Sequence, residues 1–535
     1  MTASTLRHSL LTLVMLTLAA CDAPTEPVTP GTPVLPVMTG FLFERADNPA
    51  LQADAVGVID GDTVRVVLPN VVPVNALKAT FTLAEAATTV RVGSIRQSSG
   101  VTPADFTDNV VYRLESSTGT IRAMVVQVTV FTGLPVVTVM TDGGAPILNR
   151  EDYVSATVSI FGGKDRPEHN FEATTQIRGR GNSTWSNPKK PYRLKLTTSA
   201  SIFGFPADRD WTLLANYWDQ SLTRNALAFK IGSMMSAIGY NPRCTPVELV
   251  LNGVHQGAYQ LCDHVEVAAN RVPATGGWFL EVVNLPRVES TETYFHSPAL
   301  DAWSMQSDPI PAVWVYKQPD PPTATQRALV EGDLLRLEEV MYGAGFADPD
   351  TGYAKYLDVD ATIDWYIVQE LVKNNDAAFF NSTYVHKSPT GKITVGPLWD
   401  FDLAFGNYPF DAGPTGWKIR NAAWIERLYE DRAFIGRLKT RWQALYARRA
   451  EIDQFIVSYT NAMQLSQRLT HPMWAPYAPL PLLMAESFAS TELFPSRLRP
   501  ASAAWTDADY TSEVSELRTW LNTRWAWLHS NIMDL

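Results

Sequence analysis

Three polar residues late in the chain have the types and spacing of a metal-assisted phosphoryl-transfer site. Asp376 is placed on a loop after a predicted helix, Asn381 follows five residues later, and Asp400 comes after a segment that can form a hairpin. Hard divalent cations prefer oxygen ligands, and Mg²⁺ is usually held by one or two carboxylates together with the phosphates of a nucleotide. The alternative is that these carboxylates only cap turns and bind nothing.

A hairpin would bring these three residues together. The runs STYVHK and KITVGPLW are rich in β-branched and aromatic residues, and residues 388–391 between them favour a turn. Pairing Lys387 with Lys392 places Asn381 opposite Leu398, and facing residues on paired strands lie about 5 Å apart. Protein kinases order the same groups in this way, with a loop aspartate, an asparagine five residues later and a metal-binding aspartate after a hairpin. The spacing therefore favours a kinase-like metal site.

Basic residues in the first half of the chain could neutralise phosphate groups opposite that site. The motif RGRGNS offers two guanidinium groups and backbone N–H groups in a tight loop, which suits phosphate oxygens. On the predicted strand that follows, Tyr192 and Leu194 lie on one face and Arg193 and Lys195 on the other. The basic face could instead be an exposed strand edge. The candidate phosphate-binding residues are Arg178, Gly179, Arg180, Gly181, Asn182, Lys190, Arg193 and Lys195.

The length and composition indicate two or three folded units. With 535 residues, of which 46% are hydrophobic, the chain can build at least one large core. Short alternating runs over residues 38–134 predict an all-β, immunoglobulin-like sandwich, interpreted as a spacer or binding module. Residues 135–535 predict an α+β unit with two lobes, strand-rich to about residue 325 and helical from about 326. A cleft between the lobes would hold the metal site.

The first 37 residues resemble an export signal followed by a tether. A signal peptide over residues 1–20 runs into LAAC, which resembles the lipobox of bacterial lipoproteins, in which the cysteine, here Cys21, is acylated. A proline at every third position predicts a stiff linker over residues 21–37. A lipid on Cys21 would anchor the protein to a bacterial membrane, in the periplasm or at the cell surface; the alternative is a soluble secreted protein. The net charge of −11 argues against a nucleic-acid partner.

Two further cysteines, Cys244 and Cys262, could form a disulfide in an exported protein. They flank a segment that is predicted to be a hairpin turning at residues 252–253, where the sequence reads Asn-Gly. A regular two-residue turn places Cys244 opposite Leu261 and points Cys262 to the other face, so a disulfide would require a bulge. The sequence leaves the pairing open.

Several motifs in order along the chain resemble the spore coat protein H (CotH) kinase-like family. They span about residues 136–535 and read RGRGNSTW, KKPYRLKL, DWTLLANYWDQSLTRNALAFKIG, VELVLNGVHQGAYQL, VKNNDAAFFNSTYVHK and PLWDFDLAFGN. The resemblance implies an atypical protein-kinase-like fold that uses ATP with Mg²⁺ or Mn²⁺. The implied substrates, and so the partners of this chain, are Ser or Thr hydroxyls of secreted or surface proteins.

The resemblance also implies roles for the acidic and amide residues of these motifs. Asp376 matches the catalytic-loop aspartate, Asp400 matches the metal-binding aspartate, and Asn381 matches a second metal ligand. Asp402 is a further candidate ligand of the metal, although it could serve the end of the hairpin instead. Together these four residues would form the catalytic and metal-binding side of the site.

Three residues elsewhere receive roles by the same resemblance. Arg224 looks like a further phosphate contact, and Glu281 would lie where the two lobes join and the nucleotide rests. Glu248 could be the glutamate partner of a phosphate-binding lysine, or it could form a cross-strand ion pair.

Two other functions stay open, because free ATP is expected to be scarce outside the cytoplasm. One is a cell-surface adhesion or matrix-binding lipoprotein that keeps the fold without turnover. The other is a transferase that uses ATP to attach a different group, since a fold alone does not define the reaction.

Overall fold

The computed structural model describes residues 35–51, 54–68, 74–130, 132–162, 166–307, 310–408, 411–474 and 505–535. These residues form a mixed α/β, multidomain structure with a β-rich N-terminal region and a helical C-terminal part. The predicted signal peptide, the lipid site at Cys21 and most of the proline-rich linker lie outside the described residues. Within the described ranges, no helix combines the length and the apolar character that crossing a bilayer requires.

The N-terminal region builds two main β-sheets around one core. Its strands are β1 Met38–Phe43, β2 Ala55–Val56, β3 Val58–Asp60, β4 Thr63–Leu68, β5 Leu77–Lys78, β6 Thr80–Leu83, β7 Thr89–Val92, β8 Ile95–Arg96, β9 Pro103–Ala104, β10 Val110–Glu115 and β11 Ile121–Val130. One sheet has the order β2-β1-β6 and the other the order β3-β4-β11-β10-β7-β8. Every second residue of β10 is buried, and its Tyr112 packs against Phe41 and Phe106 in the shared core.

Residues 136–263 form a closed barrel. Its strands are β12 Val136–Thr141, β13 Val154–Phe161, β14 Phe171–Gly179, β15 Tyr192–Ala200, β16 Asp208–Leu214, β17 Cys244–Leu251 and β18 Val254–Asp263. The order is β12-β13-β14-β15-β16-β18-β17, and a parallel pair between β12 and β17 closes the ring. Leu194 packs inside the barrel, while Arg193 and Lys195 face outward. Because β15 has a partner on each side, these two basic residues do not lie on a strand edge.

A second sheet lies beyond the barrel, with the order β20-β21-β19-β22-β23. Its strands are β19 Trp278–Asn284, β20 Tyr294–Phe295, β21 Ala312–Gln318, β22 Thr383–Lys387 and β23 Thr394–Val395. In this sheet β19, which precedes the predicted lobe boundary near residue 325, pairs directly with β22, which follows it. The sheet therefore crosses the predicted boundary. The strand-rich segment therefore divides between the barrel and this second sheet.

Helices pack on both the barrel and the second sheet. They are α1 Arg224–Ser233, α2 Pro298–Ser307, α3 Ala324–Met341, α4 Val359–Val372, α5 Ala423–Leu428, α6 Arg432–Ala447, α7 Arg449–Ala462, α8 Gln464–Met473 and α9 Asp507–Met533. Nearly every residue of α4 is buried, so this helix runs through the largest core. In α9, Leu517, Leu521 and Trp525 are buried at helical spacing and form the apolar face of this helix.

The β22–β23 hairpin forms, but its predicted register was wrong by one residue. Val385 faces Val395, whereas the predicted pairing requires it to face Thr394. The cause is Ile393, which leaves the hairpin and forms a parallel bridge with Leu357. The bridge between Ile393 and Leu357, which are distant in the sequence, thus lengthens the turn by one residue.

Candidate functional site

A cavity of about 680 Å³, the central pocket, has walls from both the barrel and the second sheet. They come from the ends of β14 and β16, from β19, from the loop after α4 and from the segment after β23. The volume lies within the range of about 300–1,000 Å³ that small-molecule and cofactor sites occupy. Among the candidate residues, those that line it are Arg178, Gly179, Arg180, Gly181, Asn182, Arg193, Glu281, Asp376, Asn381, Asp400 and Asp402.

The loop after α4 brings Asp376 to the central pocket. The helix ends at Val372, and Lys373 caps it in a left-handed conformation with a φ of 48°. The chain then turns tightly, so that the backbone N–H of Asn381 donates to the Asp376 carbonyl at 3.0 Å. The five-residue spacing between the two residues therefore corresponds to one closed turn, which places both at the same wall.

Buried rings hold the backbone around Asp400. Trp399 and Phe401 each contact Phe229, with ring centroids 5.8 Å apart in both pairs. Asp400 itself has a φ of 65°, which is uncommon for a residue with a side chain. Its carbonyl accepts a hydrogen bond from Asn374 Nδ2 at 3.0 Å. The anchored neighbours thus hold Asp400 in this conformation at the pocket wall.

Burial raises the pKa of all three pocket aspartates, and repulsion from neighbouring carboxylates adds to the shift of Asp376 and Asp402. Burial raises the pKa of Asp376 to about 6; Asp400 adds to this shift and Arg287 opposes it. Burial, and then the charges of Asp400 and Asp376, raise the pKa of Asp402 well above its usual range. Burial also raises the pKa of Asp400, although Arg180 opposes this. A divalent cation bound here would offset the repulsion, so this set of carboxylates fits a hard metal ion.

A set of cations lines the same pocket. The guanidinium of Arg180 lies over the ring of Trp399, 5.3 Å from its centroid. Lys189 is fully buried, its Nζ donates to the Ala215 carbonyl at 2.8 Å, and burial lowers its pKa to about 7. The other pocket cations are Arg150, Arg178, Arg193, Arg287 and Lys317. This density of guanidinium and ammonium groups suits a ligand with several negative charges, such as a polyphosphate.

Arg193 is shared between the central pocket and an acidic cluster beside it. Carboxylate oxygens of Asp208, Asp210 and Glu266 lie within 4.8 Å of one another. Arg193 Nε donates to Asp210 at 2.8 Å, and its Nη2 lies 3.7 Å from Glu266. Burial, with a contribution from Asp210, raises the pKa of Glu266 to about 7. The guanidinium supplies a counter-charge to this cluster, so its carboxylates do not by themselves indicate a second metal.

The neighbours of the predicted phosphate-binding lysines explain why these lysines lie outside the central pocket. Lys190 Nζ donates to the Trp185 carbonyl at 2.6 Å, and Lys195 lies over the ring of Tyr153. Neither lines the cavity, whereas Lys189, one position before Lys190, does. The pocket lysine of the KKPYRLKL motif is therefore the first of the pair.

Arg224 also lies outside the central pocket. It is fully buried, with ion-pair distances of 2.5 Å to Asp219 and 2.9 Å to Glu513. Two carboxylates already satisfy its charge, and it does not reach the cavity. The position of Arg224 therefore contradicts the sequence-based interpretation of it as a phosphate contact and indicates a structural ion pair.

The two candidate glutamates lie in different surroundings. Glu281 lines the central pocket, accepts a hydrogen bond from the Tyr384 hydroxyl at 2.9 Å and lies 3.4 Å from Lys317. Glu248 is fully buried and pairs with His255 on the neighbouring strand at 2.6 Å. Glu248 is also the charge that opposes the lowered pKa of Lys189, so the structure contains the cross-strand pair together with an electrostatic interaction with the pocket lysine.

The amide oxygen of Asn381 is already engaged. Its Oδ1 accepts a hydrogen bond from the Asn284 backbone N–H at 3.1 Å. Its Nδ2 is buried without a hydrogen-bond partner among the described residues. A carbonyl oxygen has a second lone pair, so Oδ1 retains the capacity for one more ligand.

Sequence reasoning missed several residues of the central pocket. Lys189, His264, Arg287 and Lys317 line it, and each comes from a different segment. The only local signal was the Lys-Lys pair of the KKPYRLKL motif. It indicates basic residues just before a strand, but it does not indicate which of the two lysines is buried. The other three are brought together by the packing of the second sheet against the barrel.

Comparison with known proteins identifies a family for most of the chain. The family described as CotH kinase protein matches residues 177–528. Among the curated proteins, none matches. One solved structure with a match is a protein of Bacteroides thetaiotaomicron provisionally described as a glycoside hydrolase. It is 15% identical with a TM-score of 0.16, and the match covers 35% of this chain and 54% of that one. That likeness is too low to bear on fold or function.

Proposed function

Since the chain belongs to the CotH kinase family, we propose that it is an extracytoplasmic protein kinase that transfers the γ-phosphate of ATP to Ser or Thr hydroxyls of secreted or surface proteins. One observation carries the proposal: a single pocket contains three aspartates together with a set of Arg and Lys side chains. A nucleoside triphosphate with a divalent metal has the matching charges. The family implies the same two ligands, ATP and a divalent metal.

In this proposal two of the pocket aspartates bind the metal ion and the third accepts a proton. Asp400 and Asp402 hold Mg²⁺ or Mn²⁺, and Asn381 offers the second lone pair of its Oδ1. The bound cation supplies positive charge to the phosphate oxygens. Asp376 accepts the proton of the acceptor hydroxyl, and its pKa of about 6 leaves it mostly deprotonated at neutral pH.

The basic residues would stabilise the phosphates and the charge that moves during transfer. Arg178, Arg180 and Lys189 line the pocket close to the tight loop that contains Gly181. Gly181 has a φ of 82°, and a Cβ there would lie 2.0 Å from Thr184 Oγ1. Only glycine fits this turn, which keeps the backbone of the loop compact beside the cations.

We also propose a role for each domain of this kinase and a lipid anchor at its N-terminal side. The barrel and the helix-covered second sheet act as two kinase-like lobes, and the N-terminal β-rich region acts as an immunoglobulin-like spacer. A lipid on Cys21 anchors the chain to a bacterial membrane, a proposal supported by the LAAC motif at residues 18–21. Cys21→Ser is expected to move the exported protein from the membrane fraction to the soluble fraction. Unchanged fractionation would contradict the anchor.

The transfer itself is tested with ATP labelled on either the γ- or the α-phosphate, the full-length chain and a Ser/Thr peptide library. We expect transfer of the γ-label only, with loss of transfer in Asp376→Asn. The matched control is Asp453→Asn, because Asp453 is a half-exposed aspartate paired with Arg518 away from the pocket. Transfer of the α-label would indicate the other transferase. Nucleotide binding without any transfer would indicate a non-catalytic adhesion or matrix-binding role.

A further inference from the structure

Cys244 on β17 and Cys262 on β18 face each other across the barrel wall. The sequence predicted that this would require a bulge, and the hairpin contains one. Its register shifts between Leu249 and Val250, because Gln256 has no facing residue on β17. Gly257, with a φ of 80°, follows directly and permits the bulge. The extra residue moves Cys262 from the opposite face to the position facing Cys244.

The two cysteines form a non-hydrogen-bonded pair, the kind of facing pair in which the side chains of antiparallel strands lie closest together. The N–H of Asp263 donates to the Arg243 carbonyl at 3.0 Å, so that neighbouring pair is hydrogen-bonded and the cysteine pair is not. Facing Cα atoms in non-hydrogen-bonded pairs are about 4.5 Å apart. Disulfides accept Cα separations of about 4.4–6.8 Å. The two thiols are close enough to interact with each other, and both are free thiols in this structure.

The cysteine pair lies where the C-terminal helices join the barrel. Cys262 is fully buried in the largest core, and the half-buried Cys244 packs against that core. On the same outer face of β18, Gln260 Nε2 donates to the Tyr459 hydroxyl at 2.8 Å and the N–H of Ala258 donates to Thr470 Oγ1 at 2.7 Å. A covalent link between β17 and β18 would therefore fix the barrel surface on which α7 and α8 pack.

We propose that Cys244 and Cys262 form a cross-strand disulfide in the mature protein, with a protein or small-molecule disulfide outside the cytoplasm as the oxidant. The thiolate of the more accessible Cys244 attacks one sulfur of the oxidant and releases one thiol. The thiolate of Cys262 then attacks the Cys244 sulfur and releases the second thiol. The two protons leave with the two reduced thiols, so the step oxidises the cysteine pair and reduces the disulfide.

The bond is tested by refolding the full-length chain from urea in a mixture of reduced and oxidised glutathione. Cys21→Ser is included, so that only two thiols remain among the 3 cysteines of the chain. We expect the intact mass to fall by two hydrogens and a peptide that joins the two cysteines to be found after digestion. A lasting glutathione adduct on Cys244, or two thiols that remain open to alkylation, would overturn the proposal.

A second measurement tests whether the bond supports the barrel. The thermal midpoint of the oxidised chain is expected to fall by several degrees on reduction, because the bond closes a loop in the unfolded chain. A chain with both Cys244→Ala and Cys262→Ala is expected to show no change with reductant. An equal response to reductant in the double variant would contradict a stabilising bond between these residues. The mass measurement needs neither variant, so it decides the pairing even if the double variant does not fold.

Discussion

Arg180 and Trp399 join the two walls of the central pocket: the guanidinium lies 5.3 Å from the centroid of the Trp399 ring. Arg180 follows the last residue of a barrel strand, and Trp399 directly precedes Asp400 in the segment after the hairpin. Arg180 is also the leading positive charge that opposes the raised pKa of Asp400. The group proposed to bind phosphate therefore contacts the residue next to the group proposed to bind metal.

The first prediction concerns that contact. Arg180→Ala is expected to weaken nucleotide binding by about 10- to 100-fold, because hydrogen bonds to charged groups contribute about 1.5–3 kcal/mol. Arg180→Lys should recover only part of the affinity, since lysine has no planar group to stack on Trp399. Calorimetric titration with ATP and Mg²⁺ measures the dissociation constants. Lys190→Ala is the control, because Lys190 lies outside the pocket; an equal loss in both variants would contradict the assignment.

The second prediction separates binding from proton transfer. Asp376→Asn is expected to lower kcat by about 10²- to 10⁴-fold, because general base catalysis contributes that much. The dissociation constant for ATP should change by less than about 3-fold, since Asp376 is assigned to the acceptor hydroxyl. The two constants are obtained from initial rates and from titration of the same preparation. A large loss of ATP affinity with an unchanged kcat would place Asp376 at the metal instead.

The third prediction follows from the pKa of Asp376, which is raised from 3.8 to about 6. A carboxyl group with a raised pKa in the folded state costs stability once it is ionised. Between about pH 4 and pH 6 the chain without metal should therefore lose stability as the pH rises. Asp376→Asn removes this cost and should be more stable than the unmodified chain by about 3 kcal/mol at pH 8, and by less than about 1 kcal/mol at pH 4. Urea unfolding in a chelator at both pH values measures the difference, and a lower stability of the variant at pH 8 would contradict it.

The sequence predicted the acidic wall well because its signals are local. Asp376 and Asn381 belong to one turn, and the hairpin that follows returns the chain to the same place, so Asp400 joins them even though the register is shifted by one residue. The alternation of Tyr192 and Arg193 also gave the correct faces of β15. Short-range spacing is sufficient for each of these features.

The basic wall was harder to predict because it depends on contacts between distant segments. Lys317 reaches the pocket from β21, and Arg287 reaches it from the segment after β19. Nothing in the local sequence of either residue indicates that the second sheet packs against the barrel. Arg224 depends on a distant segment in the same way, since its partner Glu513 lies in the last helix and the resemblance had implied a phosphate contact instead. Tertiary packing, rather than local pattern, decides these positions.

The fourth prediction tests that reassignment of Arg224. Arg224→Met is expected to destabilise the chain by about 3–5 kcal/mol, because it removes the buried cation that Asp219 and Glu513 share. The folded fraction should bind ATP with an unchanged dissociation constant. Arg448→Met is the control, because Arg448 forms an exposed pair with Glu451 on the surface and should cost less than about 1 kcal/mol. A stable Arg224→Met protein with weakened ATP binding would restore the phosphate contact that the sequence suggested.

The central claim is that Asp400 holds the metal through which the pocket binds ATP. The most direct measurement is the calorimetric titration of the full-length chain with ATP in Mg²⁺ or Mn²⁺, repeated in a chelator and with Asp400→Asn. The account predicts saturable binding with metal, and at least a 10-fold weaker affinity both in the chelator and in the variant. Asp453→Asn should bind like the unmodified chain. Binding that is equally tight without metal and in Asp400→Asn, or no binding at millimolar ATP, would contradict the account.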